Sequence, residues 1–159
     1  MQLLPEQEPI GLLVAAVRRR IKQAVGNRVR PHRLSPQQFW VLVVILEAQG
    51  LSLRDLAERL LLDAPTASRI VAGLARKKLV RASGHPGDRR RCALGLTTRG
   101  AALADALHPL ARQVREAVGW GLSAADKQLL RRALRRIIAN MDRFEQGERE
   151  DDLSRGEAS

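Results

Sequence analysis

The sequence predicts a mainly α-helical fold carrying one short β-hairpin. Apolar residues recur at helical spacing over most of the chain. Hydroxyl or aspartate residues stand where those stretches begin, several with a Gln or Asp three positions on. Between 79 and 96 the helical period gives way to two short apolar segments around GHPG, a turn-forming sequence. At 159 residues and 45% hydrophobic, the chain is long enough for one well-buried core and too apolar for global disorder.

Ile10, Leu13, Val14, Val17, Ile21 and Val25 define an amphipathic helix over about 8–26, which Gly26, Asn27 and Pro31 are expected to end. Ser35-Pro36-Gln37-Gln38 matches a capping box with proline at the first helical position. The valine-rich run behind it could be a strand by propensity alone; the cap and the length favour a buried helix, 36–48, stopped by Gly50. Two short helices follow. Ser52 with Asp55 opens the first, whose inward face is Leu53, Leu56, Ala57 and Leu60, and Leu61-Leu62 turns the corner. Asp63 caps the second, with Pro65 in its first turn. Its core face is Ala67, Ile70, Val71 and Leu74, and its other side offers Thr66, Ser68, Arg69, Gly73 and Arg76. Such a pair is a helix-turn-helix.

LVRAS (79–83) and CALGL (92–96) form the hairpin, with Arg89, Arg90 and Arg91 at its tip and on its returning strand. Thr97 caps a long helix over about 98–118 that Pro109 is expected to kink or split. Gly119-Trp120-Gly121 breaks it. Ser123 with Asp126 opens a last helix, 124–143, with an apolar stripe of Leu129, Leu130, Ala133, Leu134, Ile137, Ile138 and Met141 and a wet face of Arg131, Arg132, Arg135 and Arg136.

Charge narrows the function. The net charge is +11, and nine Lys/Arg against one acid between Ala64 and Gly100 place +8 of it in under a quarter of the chain. A second run, Arg18 to Arg33, holds seven bases and no acid. Concentrated positive charge points to a polyanion. The longest apolar run, FWVLVVIL, is too short to span a bilayer, and the N-terminus carries two glutamates and no base before Arg18; both features predict a cytoplasmic protein with no membrane partner. One cysteine, Cys92, excludes internal disulfides and multi-thiolate zinc sites, and His32, His85 and His108 are too scattered for a metal. No phosphate loop, nucleophile elbow or paired carboxylates at catalytic spacing occur, so neither an enzyme nor a cofactor is expected.

A helix-turn-helix followed by an arginine-tipped hairpin is a winged helix-turn-helix. The chain here resembles the MarR family of bacterial transcriptional regulators. The resembling residues run from Leu53-Arg54-Asp55-Leu56-Ala57 through Ser68-Arg69 and Leu79-Val80-Arg81 to Pro86, Asp88, Arg90, Leu96-Thr97 and Gly100. The resemblance implies a homodimer built by the terminal helices (8–34 and 101–144) and a winged helix-turn-helix domain (35–100); beyond it, an acid-rich tail (145–159) with no apolar pattern after Phe144 is expected to be disordered. The resemblance further implies a sequence-specific regulator, most simply a repressor, on a pseudo-palindromic site of double-stranded DNA. The residues carried over to DNA are Ser68 and Arg69 on the second helix and Asp88 and Arg90 in the wing; Ser52, Arg54, Pro65, Thr66 and Arg76, with Arg89 and Arg91 flanking the wing signature, are further candidate DNA contacts. In the wing, Arg90 would enter the minor groove and Asp88 would position it. Lys78 stands where the family usually has glycine, which implies a helix exit without its left-handed residue. Ala72-Gly73 replaces a common Asp-Arg.

Alternatives remain at several positions. The same wing could serve a non-specific DNA-coating protein, and the charged loop and Arg69 could be solvated surface. Cys92 is either a redox thiol beside arginines or a small strand residue facing the core, the simpler reading. The resemblance implies a small anionic or aromatic effector, for which His32, Arg33, Trp40 and His108 are candidate lining residues. The absence of tyrosine excludes a pocket built from phenol hydroxyls.

Overall fold

The computed structural model describes residues 8–85 and 88–147, and the side chains of 83–92 lie outside that description. The elements are α1 (Ile10–Val29), a 3-10 turn (Arg30–His32), α2 (Pro36–Glu47), α3 (Leu53–Leu60), α4 (Ala64–Arg76), β1 (Val80–His85), β2 (Asp88–Leu96), α5 (Thr98–Gly119) and α6 (Ala124–Glu145). The chain divides into two compact units between Arg115 and Glu116. The mainly helical class with one antiparallel hairpin is as the sequence predicts.

In the first unit the core forms around α2, whose Phe39, Val41, Leu42, Val43 and Ile45 are all buried. Helix wins over the strand propensity of its valines because Ser35 and Gln38 close a full capping box: the Gln38 N–H donates to Ser35 Oγ, and the Ser35 N–H to Gln38 Oε1. Gly50, at φ +75°, turns the chain out of the helix. Around α2 pack Val25 and Val29 of α1, Leu56 of α3, Ile70 and Leu74 of α4, Leu94 of the hairpin, and Ala104, Leu107 and Ala111 of α5.

Four local expectations are corrected by this packing. First, α1 does not stop at Gly26 but continues to Val29. Val25 and Val29, one turn apart, are wholly buried and hold the helix through the glycine. Second, α5 is not split at Pro109 but runs as one helix from Thr98 to Gly119. The proline ring faces solvent, while Ala104, Leu107 and Ala111 bury the opposite side on both flanks of it. Third, Lys78 does adopt the left-handed conformation, at φ 58°. Its N–H donates to the Ala75 carbonyl and that of Leu79 to the Leu74 carbonyl, which is the Schellman arrangement without glycine. Leu61 (φ 52°) and Arg33 (φ 56°) end their helices the same way. Fourth, Gly73 belongs to the packed side of α4, because a Cβ there would lie 3.0 Å from Gln38 Nε2.

The hairpin pairs Val80 with Leu96 through Gly84 with Cys92, and its register shifts between Gly84 and His85. Its root is tied in two places: the Leu94 N–H donates to the Leu51 carbonyl at 2.7 Å, and Thr97 donates from its N–H to Leu79 O and from Oγ1 to Lys78 O. Thr97 Oγ1 also accepts from the Gly100 N–H and so caps α5. A Cβ on Gly100 would stand 1.9 Å from the Leu79 carbonyl oxygen. The Leu-Thr-x-x-Gly sequence thus seats the start of α5 directly on the exit of α4.

In the second unit α6 opens with the Ser123–Asp126 capping box and runs two residues beyond its expected end. It buries none of its residues: Leu129, Leu130, Leu134, Ile138, Met141 and Phe144 are all exposed. The expected tail from 148 onward lies outside the described residues.

Candidate nucleic-acid interface

The exposed face of α4 begins at its cap. The Thr66 N–H donates to Asp63 Oδ1 at 2.7 Å, and Thr66 Oγ1 donates to Asp63 Oδ2 at 2.8 Å. Arg69 Nη2 in turn donates to Thr66 Oγ1 at 3.1 Å. The backbone and hydroxyl of Thr66, with a smaller contribution from Arg69, hold the Asp63 carboxyl below the usual aspartate range. This chain of contacts orients an exposed guanidinium before any partner arrives, which lessens the rotamer freedom lost on binding. Ser68 and Pro65 are exposed in the same first two turns, and Arg76 is exposed at the far end.

The remaining expected residues behave differently. The Ser52 hydroxyl is engaged in capping α3, donating to Asp55 Oδ2 and accepting from the Asp55 N–H. Arg54 pairs with Glu58 one turn on, its Nε donating to Glu58 Oε1 at 2.9 Å, which strengthens the guanidinium's hold on its proton. Lys77, counted in the basic excess, donates to Gln38 Oε1 at 2.8 Å and to the Arg33 carbonyl. It straps α4 to α2 across the space that Gly73 leaves open, a role that no local pattern announces. Asp88, Arg89, Arg90 and Arg91 stand on the first half of β2, and their side chains, like that of Cys92, lie outside the described residues.

The four effector candidates are not gathered at one place. Trp40 is half-buried beside Phe39, with ring centroids 4.8 Å apart, and carries the Arg115 guanidinium 5.7 Å from its ring centre. Arg115 grips Glu47 with two bonds of 2.6 and 2.9 Å, and His108 Nε2 lies 3.0 Å from Glu47 Oε1. Arg115 is the main cause of a Glu47 pKa below the usual glutamate range; burial opposes it and His108 assists. Trp40 and His108 therefore share a clamp between α2 and α5, whose key members Glu47 and Arg115 sequence reasoning missed; they lie 68 positions apart. His32 and Arg33 are exposed on the turn after α1. Nearby, Arg19, Lys22 and Arg30 line an open groove of about 480 Å³ with Gln23 and Asn27. No cluster of three or more potential metal ligands occurs among the described residues, and no described helix is long and apolar enough to cross a membrane.

Comparison with known proteins identifies the arrangement. A family model described as the MarR family matches residues 33–91. The chain is 31% identical over 131 residues to the HTH-type transcriptional repressor NicR of Pseudomonas putida, covering 82% of this chain and 83% of that protein. It is 29% identical over 119 residues to the HTH-type transcriptional regulator TtmR of Methylorubrum extorquens, covering 75% of this chain and 58% of that protein. Among solved structures, S. aureus MepR in complex with DNA superposes with a TM-score of 0.72 at 23% identity, over 85% of this chain and 99% of that one. A mutant MarR from E. coli complexed with operator DNA gives 0.67 at 25%, over 86% and 99%. The shared fold is the winged helix.

Proposed function

From the premise that this chain belongs to the MarR family, whose members are transcriptional regulators and not enzymes, we propose that it binds double-stranded DNA sequence-specifically as a homodimeric repressor. The observation that carries the reading is Arg69, exposed on α4 and held in place by Thr66 and Asp63. An arginine so oriented suits a base edge in the major groove. Ser68, Thr66 and Pro65 belong to the same first turns, Arg76 meets backbone phosphate, and the wing arginines reach the neighbouring minor groove. Ser52 and Arg54 serve at the rim, since both already have partners within α3.

The exposed stripes of α1 (Ile10, Leu13, Val14, Val17) and α6 support the dimer, for apolar faces of this extent are seldom left in water. Two-fold symmetry would then place two α4 helices on a pseudo-palindromic site. Selecting bound duplexes from a random pool tests the whole reading. A symmetric motif, bound far more tightly than random duplex, is the expected result. Equal retention of all sequences would overturn it in favour of non-specific coating.

A further inference from the structure

We propose that the groove between the second half of α1 and the start of α2 is a docking surface for an acidic peptide, and that its occupant is this chain's own segment 150–157, EDDLSRGE. The groove holds about 480 Å³. Its floor is apolar: Leu34 and Pro36 line it, and Gly26 leaves it clear, since a Cβ there would come 3.6 Å from Pro36 Cγ. Its rim is cationic. Arg19, Lys22 and Arg30 stand along it, all exposed, with no acid in the lining and no ion pair to any described residue. Between them Gln23 and Asn27 offer amides that both donate and accept, as a peptide backbone requires.

The pattern of charge selects the occupant. Arg19 and Lys22 stand one turn apart, and Arg30 follows Lys22 by eight residues, about 12 Å along the helix. A compact anion would meet one end of such a site and leave the other bare. A nucleic-acid backbone spaces its charges evenly and gains nothing from an apolar floor. The segment repeats the pattern of the groove: Glu150, Asp151 and Asp152 together, then Leu153, then Glu157. Glu157 lies five positions after Asp152, a reach of up to about 17 Å in extended chain. Leu153, the one large apolar residue after Phe144, falls where the floor lies between the two groups of cations. The segment itself lies outside the described residues. Docked there, it would neutralise three of the seven bases between Arg18 and Arg33 and lower the pull of that run on polyanions.

The test uses the full chain with a nitroxide on Ser154→Cys in a Cys92→Ser background, read by amide NMR. Selective broadening of Gln23, Gly26, Asn27 and Leu34 is the expected result. Leu153→Ser leaves every charge in place and should weaken docking about tenfold, the worth of a largely buried leucine. Glu150→Gln with Asp151→Asn and Asp152→Asn should weaken it at least as much, and salt at about 0.5 M should act the same way. Gly26→Leu fills the floor and should abolish the broadening. Should that variant or the labelled chain fail to fold, amide shifts at the same four residues in the parent and in Leu153→Ser decide, and identical shifts would overturn the proposal. Broadening centred on residues 131–136, an unchanged pattern in Leu153→Ser, or no selective broadening would overturn it as well. Docking needs no nucleic acid, so its failure leaves the regulator reading standing, and loss of DNA preference leaves the docking standing.

Discussion

Helices α2 and α6 are both rich in apolar residues, yet they meet opposite fates. Five of the residues of α2 are buried; among the twenty-two of α6, none is. The difference lies in distribution. From Phe39 to Leu46, α2 is apolar on every side, so it can be stable only where other elements surround it. In α6 a stripe is backed by Arg131, Arg132, Arg135 and Arg136, so one side must remain in water. A surrounded helix is held by its own chain, whereas a striped helix with an uncovered stripe awaits a second surface. The first is a matter of folding, the second of association, and experiment can separate them.

The largest effect is expected inside α2. Phe39→Ala should destabilise the protein by about 3–5 kcal/mol, the usual loss for a buried phenylalanine. Urea unfolding at two protein concentrations measures it, and the loss should be the same at both. Next comes α6. In the proposed dimer, Leu134→Asp should raise the dissociation constant about 100-fold, near 3 kcal/mol, by placing a charge in the apolar seam that the stripe would form. Sedimentation velocity should then show monomer with helical content retained; an unchanged mass would mean that the stripe of α6 is not the seam.

A smaller effect concerns the helix exit beside α2. Lys78→Gly should stabilise by up to about 1 kcal/mol, because it relieves the left-handed strain at the modest entropic cost of a glycine. A rise in Tm checks it. The smallest effect sits at the end of α2. Glu47→Gln should lower stability at neutral pH by less than about 1 kcal/mol, since the pair with Arg115 is partly exposed. Arg115 and His108 depress the Glu47 pKa, so its contribution is present above the ordinary glutamate range and is lost as the pH falls through and below it. The Tm gap between parent and variant should therefore close as the pH drops below about 4. A gap that persisted in acid would mean that the clamp is steric.

Much of the interface region could be read in advance because its rules are local. Ser35, Ser52, Asp63 and Ser123 cap helices through groups three residues away, and such contacts follow from adjacent sequence alone. The core face of α4 emerged the same way, with Ala67, Ile70 and Leu74 buried on one side and Ser68 and Arg69 exposed on the other. The Lys77 strap was illegible. It depends on Gly73 and Gln38, 35 positions apart, coming together. The clamp of Glu47 by Arg115 was hidden for the same reason.

By itself the sequence determined the class of fold, the order and caps of its helices, the place of the hairpin, and where positive charge accumulates. These follow from hydrophobic period, from hydrogen bonds within a turn, and from composition. Tertiary structure decided whether a locally disfavoured residue would be overruled. Gly26 stays helical because Val25 and Val29 are buried, Pro109 is accommodated because its ring faces water, and Lys78 turns left-handed because Leu79 must meet Thr97 and Gly100. In each case a local preference of about 1–3 kcal/mol is set against burial and hydrogen bonds gathered from distant parts of the chain. Those sums exist only once the parts have come together.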